Sequence, residues 1–591
     1  RLVGPLFDRG RDAVLADEQT VEENAVFAGL DSGDEGGVID PGNRGIAHRH
    51  GLGGGSFRRE FAQVRHLQNR IVPEIGGKAI NADEDHMPIP RWLGADAASG
   101  EEESGKDGED KSFHRRSITA FGNKSATPIE PRLRYLPVDG DGSHSDRVKE
   151  ILVLLLMAFP IAVSADWEAG MARADITPTE SVPLAGYGGK TRMSQRVDHP
   201  LWLKALALRD ESGVASVIVT ADLVGLSDKM ISRIAGTAKK RHGLERERLV
   251  LNTSHNHSCP VTEDVLWLYY ELTPEEAAAR DRYTEQVYRA YDAVIAAAIA
   301  DLAPAELTYE LGLAGVAVNR RRSRGPESRA LPGPVDQDVP VLAVRSGKTL
   351  RGIVFGYSCH TTALGGLSLN GDYAGFAQVA LEKSNPGAIA MFVQNCGGDA
   401  NPLPRIRGKD EEAISLAERY GLILAESVNQ VLSAPMGTLS GPLKVAMGEA
   451  VLELQPGLPL AELKERAPNL NGMHRREFEL FIRQYETAGG PPGSLNYPVQ
   501  VWRFGTGLTF IALTGETVVD YSLAFKDRYG WNTTWVSGYN NDLLCYVPSL
   551  RVLKEGGYEG ALGMWEYGHR APFTETVEER IAGLVERLVG K

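Results

Sequence analysis

Residues 249–258 read Leu-Val-Leu-Asn-Thr-Ser-His-Asn-His-Ser, an apolar run that stops at a polar cluster holding two histidines. A run this short and this apolar suits a strand buried on both faces. The same transition recurs further along. Gly352–Gly356 (GIVFG) leads into Tyr357-Ser358-Cys359-His360, Ile389–Val393 (IAMFV) into Gln394–Pro402 (QNCGGDANP), and Leu508–Leu513 (LTFIAL) into Thr514-Gly515-Glu516. Ala215–Thr220 (ASVIVT) and Val341–Val344 (VLAV) read as two more strands, with Pro340 just ahead of the second, where a strand tolerates proline. Between them lie helical patterns at Arg280–Leu302, Tyr373–Glu382, Glu411–Leu432 and Thr576–Leu588. Pro456–Pro459 and Gly489–Gly493 are loop punctuation around a charged helical segment. This alternation predicts an α/β fold, a mixed sheet with helices. Ligands bind such sheets at the carboxyl ends of strands, so four polar clusters there predict one convergent site.

The residue types at those ends suit a metal. Neutral imidazole and carboxylate are good zinc ligands, and His255, His360 and Glu516 would come from separate strands. A lone His-x-His is more often structural. However, residues 166–591 contain seven histidines, and three of them, His255, His257 and His360, stand at these strand ends. A TIM-barrel metal amidohydrolase also places His-x-His after a strand, but no later pair of strand-end histidines followed by an aspartate is present. Cys259, Cys359, Cys396 and Cys545 all lie beside the motifs and offer a rival as thiolate ligands, a disulfide, or a nucleophile at Cys396. The His/Asn order of a cysteine hydrolase is missing. Gly397-Gly398 alone is weak evidence for a phosphate loop.

The whole chain has 591 residues, 42% hydrophobic and 24% charged, which excludes a collagen-like, coiled-coil or wholly disordered protein. Sixty-four basic against 78 acidic residues, a formal net charge of -14, argue against a nucleic-acid partner. No apolar run reaches the roughly 18 residues needed to span a bilayer, so no transmembrane helix is predicted. Arg147–Asp166 reads RVKEILVLLLMAFPIAVSAD: a positive start, an apolar stretch too short to span, and small residues at Val163-Ser164-Ala165. That layout predicts a signal peptide at 147–165 and a secreted or periplasmic protein. The stretch 1–146 is crowded with Gly, Asp, Glu, Arg and Ser, and cannot bury enough apolar surface to offset chain entropy. It is expected to be a disordered or mis-assigned extension, with translation starting at Val148. The folded part is expected at 166–591, as one domain with insertions.

The ordered motif set from Ala169 onward resembles the catalytic domain of the neutral, non-lysosomal ceramidase family. It comprises Ala169–Pro178 (AGMARADITP), Ser254–Ser258, Asn319-Arg320, Cys359-His360, Gly371-Asp372, Asn395–Asp399, Gly515-Glu516, and Tyr546 through Tyr558-Glu559-Gly560. The resemblance implies a zinc amidohydrolase that cleaves the N-acyl bond of ceramide or a related lipid, with peripheral membrane contact. It implies zinc held by His255, His360, Glu516 and Tyr546. His257, Arg320 and Tyr558 would face the amide and its oxyanion, and Asp399 would orient the site or act as base. Three departures stand out. Where the family carries a serine proposed to act in catalysis, this chain has Asn401, which cannot be an alkoxide nucleophile. Attack by activated water survives that change. Cys259 stands where the family usually has glycine, and the family's immunoglobulin-like C-terminal domain has no counterpart before Lys591. The alternatives are a zinc hydrolase of a different amide or ester, and a catalytically inactive carbohydrate- or lipid-binding relative.

Overall fold

The apolar runs resolve into a single large sheet. The computed structural model describes residues 166–188, 191–321, 333–406 and 410–591; the segment read as a signal peptide and the stretch before it lie outside the described residues. Thirteen strands make the sheet: β1 (Trp167–Asp175), β2 (Trp202–Arg209), β3 (Ala215–Ala221), β4 (Leu249–Thr253), β5 (Ala303–Leu313), β6 (Asp338–Ser346), β7 (Thr349–Tyr357), β8 (Ile389–Gln394), β9 (Gly437–Leu439), β10 (Leu443–Glu453), β11 (Ser494–Phe504), β12 (Leu508–Thr514) and β13 (Thr534–Asn540). Their spatial order is β8-β7-β6-β5-β1-β2-β3-β4-β13-β12-β11-β10, with β9 added beside β5. The sheet is mixed: β3–β4, β7–β8 and β12–β13 pair in parallel, while most other neighbours are antiparallel.

The sheet curls so that β8 lies against β2, β3 and β4. A central apolar layer fills the fold between them, with Ile218, Val250, Val354, Met391, Trp502, Phe510 and Trp535 all buried in it. Alternate residues of the same strands face outward onto helices. Val217, Val219, Leu249 and Leu251 meet helices α1 (Asp228–His242) and α2 (Pro274–Ala300). Ile353, Phe355, Ala390 and Phe392 meet α3 (Asp372–Ser384) and α4 (Asp410–Ser433). This explains the unbroken apolar runs, since both faces of each strand are covered. The helices α5 (Leu460–Arg466) and α6 (Gly472–Ala488) lie between β10 and β11 and pack around Trp565. The helix α7 (Val519–Tyr529) packs on β13, and α8 (Val577–Val589) covers β10 and β11.

One local expectation needs correction. Strand β6 begins at Asp338, so Pro340 lies inside it, opposite Leu311 of β5, rather than ahead of it. The position is tolerable because pairing with β7 starts only at Val341. No helix among the described residues is long and apolar enough to cross a membrane.

Asn252, at the end of β4, ties the strand ends together. Its Nδ2 donates to the carbonyl of Gly538 at 2.9 Å, the carbonyl of Gln394 at 3.3 Å and Asn540 Oδ1 at 3.1 Å, and its Oδ1 accepts from the Gln394 amide at 2.9 Å. A fully buried amide with this many partners fixes geometry, because leaving any of them unmade is costly. The carboxyl ends of β4, β8 and β13 are thereby held at one place.

Candidate metal centre

His255 follows β4 in a left-handed conformation, φ 54°. Its Nδ1 lies 2.8 Å from the Val224 carbonyl, and His360 Nδ1 lies 2.7 Å from the Gly397 carbonyl. A carbonyl only accepts, so each Nδ1 carries the proton and each Nε2 presents a lone pair. Burial pushes the His255 imidazole down to about 4 and lowers His360 as well, which keeps both rings neutral.

Glu516 completes the set. Gly515 makes the turn out of β12 with φ 75°, and a Cβ there would stand 2.7 Å from the Cys545 carbonyl, so the position demands glycine. Glu516-Thr517 then pairs in parallel with Tyr546-Val547. Glu516 Oε2 lies 3.2 Å from His255 Nε2 and 3.0 Å from His360 Nε2, and the Tyr546 hydroxyl is 3.3 Å from His360 Nε2. The ligand atoms of His255, His360 and Glu516 all lie within 4.8 Å of one another, and all three residues are buried. Three acceptors thus converge, and none of the three carries a proton toward the others. Such an arrangement is repulsive by itself and is relieved by a cation, so the residues fit a divalent metal. The Tyr567 hydroxyl donates to the other oxygen, Glu516 Oε1.

The remaining sequence candidates surround this cluster. His257 Nε2 is 3.0 Å from His255 Nε2, while its buried Nδ1 has no partner among the described residues. Its ring meets Tyr187 edge-on with centroids 4.8 Å apart. Arg320 donates from Nε to Glu559 at 2.6 Å and from Nη2 to the Tyr546 hydroxyl at 3.1 Å. Its guanidinium sits 5.7 Å from the Tyr558 ring centre. Asp399 stands apart. Its carboxylate accepts from the Val519 amide at 2.9 Å, at the start of α7, and from Asn319 Nδ2 at 2.8 Å. Burial pushes that carboxyl up to about 6. Asn401 lies in a short ribbon, Ala400–Pro402 against Ala317–Asn319, with its Oδ1 3.4 Å from the Thr362 hydroxyl. The two-stranded ribbon holds Asn319 and Arg320 in register with the loop that carries Asp399.

All four cysteines are buried thiols with no disulfide, and none of them is in the metal-type cluster among the described residues. Desolvation raises each of their pKa values, which disfavours the thiolate that a ligand or nucleophile needs. Tyr539, Tyr567, Glu559, Glu566 and Tyr269 also take part in the site. Of these only Glu559 fell inside a quoted motif; the others carry no spacing signal.

No family model and no curated protein matches the chain. Solved structures do. A neutral ceramidase from Pseudomonas aeruginosa superposes with a TM-score of 0.54 at 18% identity, covering 72% of this chain and 75% of that one. A ceramidase complexed with C2 gives 0.53 at 18% identity, covering 72% and 76%. The mixed sheet is therefore the fold that the neutral ceramidase structure also has.

Proposed function

We propose that the chain is a zinc-dependent amidohydrolase that cleaves the N-acyl amide bond of ceramide or a related lipid. One observation carries the reading. Lone pairs of His255 and His360 face the Glu516 carboxylate inside the fold shared with neutral ceramidase, and His257, Arg320 and Tyr558 border the same cluster.

His255, His360, Glu516 and Tyr546 would hold the metal. When bound, zinc supplies Lewis acidity toward the amide carbonyl and makes hydroxide available near neutral pH. The rest falls to the chain's own groups. Arg320, held by Glu559 and Tyr546, places a fixed positive charge where the amide oxygen gains negative charge, and Tyr558 adds a hydroxyl donor there. His257, neutral and with an Nδ1 that has no partner among the described residues, takes the proton that the attacking water gives up and passes it to the leaving amine. Asp399 acts by position, since its two bonds hold α7 and Asn319 beside the site. Asn401 offers an amide but no nucleophile, which leaves attack to water. Export through the 147–165 segment, to the periplasm or outside the cell, and contact with a lipid surface belong to the same proposal.

The test is metal analysis and hydrolysis of ceramides and short N-acyl amines by the full chain, beside His255→Ala and Glu516→Ala. Stoichiometric zinc and turnover in the wild type, both lost in the variants, are expected. Retention of zinc in both variants removes the reading. Zinc without turnover on any acyl amide turns it into an inactive binding relative, and turnover only on short amides or esters moves the substrate away from lipid.

A further inference from the structure

The Tyr558 hydroxyl donates to Glu566 Oε2 at 2.6 Å, and the Tyr269 hydroxyl donates to the same oxygen. The two phenols are 3.3 Å apart. Glu566 is 9% exposed and Glu477 on α6 is fully buried beside it, with one carboxylate oxygen unpartnered among the described residues. The mechanism above uses none of these carboxylates. A phenol has a single proton to give. When that proton goes to an ionised Glu566, it is not available to a substrate oxyanion.

We propose that Glu566 is a positioning residue: its protonated form frees the Tyr558 hydroxyl for the amide oxyanion, and its ionised form withholds it. This rests on the amidohydrolase reading. A protonated Glu566 donates to a phenol oxygen instead of accepting from it, and a phenol that accepts a hydrogen bond is itself a better donor. The surroundings favour the protonated form near neutral pH. Burial pushes the Glu566 carboxyl up to about 7; Tyr269, Tyr558 and the more distant His474 pull it down, and Glu477 pushes it up. These groups come from each element packed on it: Tyr269 from the turn at Trp267–Tyr269, Tyr558 from the π-helical turn Tyr558–Leu562, and His474 with Glu477 from α6. Tyr567, the next residue, turns to Glu516 instead.

The experiment is the pH dependence of kcat and KM for acyl-amide hydrolysis by the zinc-loaded full chain, with Glu566→Gln and Glu477→Gln beside it. The wild type is expected to lose kcat by about tenfold to a hundredfold as pH rises past 7, with KM nearly unchanged, the size of one oxyanion donor at most. Glu566→Gln, an isostere of the protonated acid, is expected to lack that fall. Glu477→Gln is expected to move it to lower pH, since a neighbouring negative charge is removed. A wild-type fall that persists in Glu566→Gln, or one that appears in KM alone, overturns the proposal while leaving the amidohydrolase reading intact. A second arm needs no turnover: the infrared carboxylic-acid band of the metal-free protein is followed against pH. Loss in Glu566→Gln of one component that titrates near neutrality supports the proposal, and a spectrum unchanged by the substitution overturns it; Asp542 and Asp399, raised to about 7 and about 6, supply components present in both proteins. Absence of hydrolysis at every pH counts against the amidohydrolase reading and leaves this arm to decide on Glu566.

Discussion

Glu516→Gln separates a metal site from an ordinary buried hydrogen-bond cluster by the sign of its effect. In metal-free protein, Glu516 Oε2 faces two imidazole lone pairs at 3.0 and 3.2 Å. A glutamine of the same shape brings an NH2 group that donates to those nitrogens. Oε1 keeps its bond from Tyr567, and at Oε2, where Tyr539 makes a long 3.5 Å contact, replacing an acceptor that faces lone pairs by a donor is worth about 1–3 kcal/mol. Under the proposed reading zinc would act the other way: at a free concentration a thousandfold above Kd it would stabilise the wild type by about 4 kcal/mol. Residues 166–591 make a unit of roughly 425 residues, and at about 2 cal/mol/K per residue the unfolding entropy is about 0.9 kcal/mol/K. The wild type should therefore gain about 4–5 °C in Tm when zinc is added after chelation. Glu516→Gln should start about 1–3 °C above the chelated wild type and gain almost nothing from zinc. Differential scanning calorimetry of both proteins, chelated and zinc-loaded, gives the four values. A glutamine variant that is destabilised without metal, or that still gains the full zinc shift, refutes the argument that three acceptors converge on a cation.

The other predictions address the neighbourhood of that cluster. Gly186 has φ 91° and its missing Cβ would lie 2.4 Å from the His257 ring, so Gly186→Ala should displace that imidazole. Acyl-amide hydrolysis should drop at least about tenfold while zinc content stays stoichiometric, read by paired rate and metal assays. Burial pushes Asp542 up to about 7 in the fold, above its unfolded value near 4, so stability falls as pH rises between those two values. Asp542→Asn should therefore be about 2–4 kcal/mol more stable than wild type at pH 8 and indistinguishable at pH 4, by denaturant titration at both. Arg320→Lys keeps the charge but cannot serve Glu559 and Tyr546 together from one planar fork. It should lower kcat about tenfold or more and leave zinc binding in place.

How much of this was legible in the chain follows from what each residue type must do. Strands β3, β4, β7, β8 and β12 could be read because helices cover one face and the central layer the other, so their sequences are apolar throughout. Strand β2 escaped notice because Lys204 interrupts it. That lysine is buried, yet it is satisfied by Glu382 at 2.8 Å and the Ala390 carbonyl at 2.7 Å, partners far away in sequence. Strand β10 is half-buried through Val445–Gly448 and alternates only from Glu449 to Glu453, too short a stretch to stand out. At the site, His255, His257, His360 and Glu516 stood out because polar residues right after apolar strands are conspicuous. Tyr567 and Glu566 did not, since their contacts reach back to Glu516 and to Tyr269, 51 and 297 residues away. No local pattern encodes such a distance.

The backbone itself shows why the cluster is held in place before any ligand arrives. Seven described residues other than glycine take positive φ, and His255, Tyr539, Asn541 and Leu544 are four of them. Each costs on the order of 1 kcal/mol or more for an L side chain. Three fall in the bend that leaves β13 and leads to Tyr546. That bend is tied down at both sides: Asn540 Nδ2 donates to the Leu513 carbonyl at 2.9 Å, and the Asn541 amide to the Leu251 carbonyl at 2.7 Å. The bend therefore cannot relax without breaking bonds to β4 and β12, the strands that deliver His255 and Glu516. The strain and the ligand positions are two consequences of the same constraint. Relieving it by glycine at Tyr539 would remove the ring that rests 4.7 Å from His255, so the conformation and the side chain must be kept together.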